Sequence, residues 1–180
     1  DKQIHQNPGY QTYTTFSLWD TYRAAHPLYT LVQPNRINDF VNTMLAIYDQ
    51  QGKLPVWHLH ANETNCMVGY HAIPVIADAY LKGFRGFDAE KAFEAMKASA
   101  MNDFRGVDFV KSQGYIPADS QVESVARAME YAIDDWCIAA MATALGKTEE
   151  AAYFSKRAKY YENYFDPQTR FMRGKMADGS

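Results

Sequence analysis

From Asp119 to Gly146 the chain reads DSQVESVARAMEYAIDDWCIAAMATALG, an apolar run at helical period that ends in a glycine. A run of this length with no period-two alternation specifies a helix of several turns. Ser120 and Glu123 fit a capping box at its start, and Gly146 fits its C-terminal stop. Inside the apolar run lie Glu130, Asp134 and Asp135 beside Trp136, with Glu130 and Asp134 on one face by the i, i+4 rule. Buried carboxylates are paired or shifted in pKa, so these three are either structural anchors or acid–base groups.

The same period recurs along the chain. NRINDFVNTMLAIYDQQG spaces Ile37, Phe40, Val41, Met44, Leu45 and Tyr48 by three and four, then stops at Gly52. GYHAIPVIADAYLKGF is helical and apolar nearly all round, with Pro74 in its first turn, where a missing N–H is tolerated. DAEKAFEAMKASAM starts at Asp88 as N-cap. KTEEAAYFSKRAKYYENYF forms a final amphipathic helix, closed by the Asp-Pro turn DPQTR. Its rings, Tyr153, Phe154, Tyr160, Tyr161, Tyr164 and Phe165, are expected in the core. Residues 1 to 18 form an extended entry segment punctuated by Pro8 and Gly9, and no strand alternation is expected beyond them. The organisation is helix, loop, helix in pairs of roughly 45 to 60 residues, an all-α array of hairpins of the kind that builds solenoids or closed toroids.

With 180 residues and 47% hydrophobic content the chain can fill one sizeable core. A net charge of −3 with no long Lys/Arg run argues against nucleic acid or an anionic membrane as the main partner. Cys66 and Cys137 match neither a disulfide framework nor a zinc signature. The chain starts at Asp1 and stops at MADGS, and is expected to be a piece of a longer protein.

Three clusters carry candidate chemistry. TFSLWDTYRAAHP, residues 15 to 27, crowds Trp19, Asp20, Tyr22, Arg23 and His26 into eight positions. Aromatic faces stack on C–H groups while carboxylate and guanidinium pair with hydroxyls, a mixture that suits a sugar pocket. The alternative is a buried helix start in which Asp20 and Arg23 form a local ion pair. LPVWHLHANETNCMVGYH, residues 54 to 71, breaks helical period and carries Trp57, three histidines and Glu63, a loop rich enough in functional groups to be a site. Within it His58, His60 and Glu63 could ligate a metal, although the helical H-x-x-x-H spacing is missing; otherwise these histidines serve as hydrogen-bond donors. Glu130 and Asp134, one helical turn apart, sit closer than the roughly 6.5 to 9.5 Å that an inverting glycosidase pair needs.

Together, YTTFSLWDTYRAAHPLYTL, LPVWHLHANET, MVGYHAIPVIADAYLKGF, MEYAIDDWCIAAMATALGK and YFDPQTRFMRGKMADGS resemble glycoside hydrolase family 92, the calcium-dependent exo-acting α-mannosidases. The resemblance runs from about Tyr10 to Ser180. Its first three phrases are specific, whereas EYAIDDW also occurs in other (α/α)6 toroid glycosidases. It implies that residues 1–180 are about half of an (α/α)6 toroid, with an N-terminal β-sandwich and the second half of the toroid outside the chain. It implies an inverting reaction on terminal α-mannosides of glycans, in a periplasmic or secreted protein. By this analogy Asp20 accepts hydrogen bonds from sugar hydroxyls and Trp57 packs on the ring face, with Trp19, Arg23 and Glu63 as further substrate-binding candidates. The family's general acid, general base and calcium-associated HGNEP motif belong to sequence downstream of the DGS phrase, so this chain is expected to contribute no catalytic residue and no metal ligand, only pocket lining. Two alternatives stay open: another toroid glycosidase, and a non-catalytic helical-repeat binding module.

Overall fold

The computed structural model describes residues 3–6, 9–60 and 62–180, so the expectation for Pro8 lies outside the described residues. The chain divides into two compact units, Asp1–Ser99 and Ala100–Ser180.

In the first unit, an irregular segment leads into a single turn, α1 (Leu18–Thr21), then α2 (Ala25–Val32), a 3-10 turn (Pro34–Arg36) and α3 (Ile37–Gln51). A two-residue hairpin, β1 (His58–Leu59) with β2 (Asn62–Glu63), precedes α4 (Ala72–Leu81) and α5 (Ala89–Met101). The α3 spacing does what it predicts: Ile37, Phe40, Val41, Met44 and Leu45 are all buried. Gly52 ends the helix at φ +78°, a left-handed conformation that only glycine adopts without strain. α4 is buried nearly all round, with Pro74 in its first turn. The Asp88 carboxylate accepts the Lys91 N–H at 3.0 Å, the expected N-cap bond of α5. α2 packs on α4 with one side and exposes Leu28, Leu31 and Val32 on the other.

In the second unit, α6 (Val107–Gln113) precedes α7 (Ser124–Ala144), which pairs with α8 (Thr148–Arg157) across a three-residue link closed by Gly146 at φ +74°. The capping box does not form. Ser120 and Gln121 instead donate their N–H groups to the Pro117 carbonyl in a turn, and Glu123 takes φ +58°. The Glu123 carboxylate reaches forward to Arg127 at 2.8 Å, and the helix begins three residues later than the box predicts. The last helix is also shorter than its periodicity: α8 ends at Arg157, and Tyr160–Tyr164 tightens into a 3-10 turn. A second ribbon follows, β3 (Phe165–Asp166) with β4 (Phe171–Met172), where the sequence predicts only a turn. Its turn is fastened by Asp166, whose carboxylate accepts from the Arg173 guanidinium, the Thr169 hydroxyl and the Gln168 N–H. Those donors pull its pKa down to about 2. Of the six rings expected in the core, Phe154 and Tyr164 are buried, whereas Tyr153, Tyr161 and Phe165 are exposed. Helical spacing continues past Arg157 in sequence, but the helix does not. Tyr164 accepts the Ile116 N–H at 2.6 Å, and burial pushes its phenol up to about 12.

The carboxylates of α7 resolve in part. Asp135 makes a two-pronged bond with Arg157, at 2.9 Å from Nε and 3.0 Å from Nη2, and both side chains are 1% exposed. The same guanidinium donates to the Ala100 carbonyl at 3.1 Å. Asp135 is therefore an anchor between α7 and α8, since each charge is desolvated and is balanced by the other.

Candidate functional site

The candidate site lies within the first unit and begins with a backbone contact. Ser17 and Trp57 form an antiparallel bridge, extended by Thr15 N–H to the His58 carbonyl at 3.0 Å and Leu18 N–H to the Val56 carbonyl at 3.1 Å. Forty residues apart in sequence, the SLWDT and LPVW phrases thus run side by side. α1 starts directly from this bridge and carries Trp19 and Asp20.

Trp57 is held from several sides. Its own N–H and that of Val56 donate to the Glu63 carboxylate at 3.0 and 2.7 Å, and the Asn65 N–H donates to the same group at 2.8 Å. Upstream, the Leu54 N–H donates to the Ser99 hydroxyl at 2.9 Å, and that hydroxyl donates to the Ala95 carbonyl within α5. Downstream, the Thr14 hydroxyl donates to the His58 carbonyl at 2.6 Å. A segment without regular ladder partners thereby has its backbone groups satisfied by side chains. The Trp57 ring is half-buried, and its Nε1 is buried with no hydrogen-bond partner among the described residues.

The SLWDTYR turn presents a stack. The Arg23 guanidinium lies 4.5 Å from the Trp19 ring centre and 4.7 Å from that of Tyr22, and its Nε donates to the Trp19 carbonyl at 3.0 Å. Tyr22 in turn lies flat on His71, with ring centres 4.2 Å apart and planes 18° apart. His71 is buried against Gly69, where a Cβ would overlap its imidazole. Asp20 is exposed and makes no ion pair with Arg23; the guanidinium is committed to the two rings instead. The local ion pair, the alternative account of this stretch, is not formed. What results is a solvent-facing carboxylate beside a fixed cation and aromatic faces, a set able to accept from hydroxyls, donate to an oxygen and pack on C–H groups.

Beneath the bridge sit two buried histidines. His26 packs edge-on against Phe16 at 4.8 Å, with Phe40 and Tyr29 at 5.6 and 5.8 Å, and His58 lies 6.4 Å from Phe16. Burial pulls His26 down to about 4, with the nearby Thr21 carbonyl opposing the shift. Burial also lowers His58, against the pull of Glu63. Both are neutral packing groups near pH 7. The H-x-H-x-x-E spacing therefore does not gather a metal: His58 is buried among rings, His60 is exposed, and Glu63 holds backbone N–H groups. Among the described residues, no three His, Cys, Asp or Glu groups are placed to hold a metal ion.

Sequence reasoning misses Ser99, Gly69 and His71 as supports of the site. A serine on the apolar face of α5 and a glycine two residues before a histidine are the only traces they leave in sequence.

The glycosyl hydrolase family 92 catalytic domain model matches residues 1–180. The chain is 47% identical to a family 92 α-mannosidase of Bacteroides thetaiotaomicron, with TM-score 0.96, covering 99% of this chain and 25% of that one. It is 34% identical to an inverting family 92 mannosidase of the same organism, with TM-score 0.89, covering 94% of this chain and 24% of that one. A curated relative, an uncharacterized secreted glycosidase of Arthroderma benhamiae, is 30% identical over 171 residues, which cover 86% of this chain and 22% of the relative. The chain thus spans about a quarter of the length of the proteins it matches. Its all-α architecture is that of a fragment of the family's helical toroid.

Proposed function

The chain belongs to glycosyl hydrolase family 92, and from that premise we propose that the protein carrying it is an inverting, exo-acting α-mannosidase for terminal α-mannosides of glycans. One observation carries the reading: the Ser17–Trp57 bridge that joins the SLWDT and LPVW phrases, in a chain 47% identical to an α-mannosidase. The second solved form of that α-mannosidase is a complex with mannoimidazole, which supports a mannose-type ligand.

In this proposal Asp20 accepts hydrogen bonds from mannose hydroxyls, Trp57 packs on the ring face, and the Trp19–Arg23 stack borders the pocket. Fixing the sugar in one pose lets binding energy distort its ring toward the flattened transition state. The acid that protonates the leaving oxygen and the base that activates water belong to the remainder of the polypeptide, together with a β-sandwich and the other half of the toroid. Calcium, a hard cation suited to the 2- and 3-hydroxyls of mannose, takes most of its ligands there too in this proposal. The secreted relative supports a periplasmic or extracellular location, and among the described residues no helix is long and apolar enough to cross a membrane.

The test is mannose release from an aryl α-mannoside by the full-length protein, with calcium and with a chelator. Asp20→Asn should lower kcat/KM by about a hundredfold or more, as loss of a charged partner to several hydroxyls implies, with an unchanged melting temperature. A near-wild-type rate in that variant rejects the assignment of Asp20.

A further inference from the structure

We propose that Glu63 is a positioning residue for Trp57 and does not contact the sugar. Both its oxygens are occupied by backbone donors: Oε2 accepts from Val56, and Oε1 accepts from Trp57 and Asn65, at 2.7, 3.0 and 2.8 Å. Val56 and Trp57 are consecutive and Val56 lies at a bend, so one carboxylate holding both N–H groups fixes the backbone at the point from which the indole projects. The scaffold needs such a clamp. The β1–β2 hairpin has only two residues per strand, and a two-stranded ribbon of that length does not hold its register unaided. Within it, His58 pairs with Glu63, so the strand that follows Trp57 carries the clamp's own residue opposite it. Lys53 adds a bond to the Asn65 side chain, tying the start of this segment to its end.

This inference rests on the proposed mannoside pocket only for what Trp57 touches; the clamp itself is independent of it. Glu63→Gln distinguishes a clamp from a ligand because a carboxamide keeps one acceptor oxygen and turns an NH2 donor toward backbone N–H groups. In the full-length protein, amide hydrogen exchange over residues 54–66 should accelerate about tenfold or more, while peptides covering 107–144 exchange as in the wild type and report that the variant is folded. KM for an aryl α-mannoside should rise. In a Trp57→Phe background the further effect of Glu63→Gln should shrink to less than about threefold, since both changes act through one ring. Glu63→Asp, which keeps both oxygens on a shorter arm, is the second variant and should show intermediate exchange. Unchanged exchange over 54–66 in Glu63→Gln, or penalties that multiply with Trp57→Phe, overturns the clamp and returns Glu63 to the sugar. If the wild-type protein hydrolyses no α-mannoside, the proposed function fails while the exchange result still decides the clamp.

Discussion

Asp135→Asn separates the two meanings of the carboxylates inside α7. The substitution is nearly isosteric but removes the charge that balances Arg157, whose guanidinium is 1% exposed and has neutral partners in the Ala100 carbonyl and the Met101 sulfur. Removing one member of a buried ion pair costs about 3–5 kcal/mol, because the remaining charge stays desolvated. Since each 1 kcal/mol lowers a domain midpoint by about 2–8 °C, the lower end applying to larger cooperative units, Tm should fall by about 6 °C or more. Differential scanning calorimetry of the full-length protein measures the shift. Turnover of an aryl α-mannoside well below the transition should match the wild type, because the Asp135 carboxylate is engaged in the two-pronged bond with Arg157 and is 1% exposed. The double variant Asp135→Leu/Arg157→Met should recover much of the lost stability, as replacing both charges removes the desolvation penalty together with the attraction. An unchanged Tm combined with collapsed turnover and loss of one limb of the pH–rate profile would refute the anchor and make Asp135 an acid–base group.

Three further outcomes follow from the first unit. The folded pKa of His26, about 4, lies below its ordinary 6.5, so its stability contribution is complete above pH 6.5 and is lost as pH falls toward 4. At pH 5 the loss from this residue is about 2 kcal/mol by linkage, and His58, shifted the same way, adds to it; urea unfolding across pH 4 to 7 with wild type and His26→Phe checks this, and a pH dependence equal in both would exclude His26 as its source. Gly69→Ala places a methyl against the His71 imidazole at a residue with φ +80°, so Tyr22 and Arg23 should shift with it and KM should rise more than kcat falls; an unchanged KM would show that the stack does not shape the pocket. Ser99→Ala orphans the buried Leu54 N–H, for a loss of about 1–3 kcal/mol, and hydrogen exchange at Leu54 should accelerate while Asp20 and Trp57 remain in place.

Local physics was legible in the residues themselves. The spacing of Ile37 to Tyr48, the Asp88 cap and the stops at Gly52 and Gly146 each depend on neighbours within one or two turns, and each element forms as its letters dictate. Family phrases carried the rest of the functional reading, with Asp20 and Trp57 as named residues. Tertiary structure decided what spans tens of residues: the bridge from Ser17 to Trp57, the Asp135–Arg157 anchor, and the choice of Arg23 for ring faces over Asp20. It also overruled local signals where a stronger partner existed. Ser120 and Glu123 match a capping box, but Pro117 and Arg127 hold them elsewhere. Glu63 reads as a sugar ligand in sequence; in the fold its carboxylate accepts three backbone N–H groups, and an unsatisfied buried peptide donor is costly. Hydrogen-bond satisfaction is a property of the folded neighbourhood, and no spacing rule in the sequence encodes which neighbour will arrive.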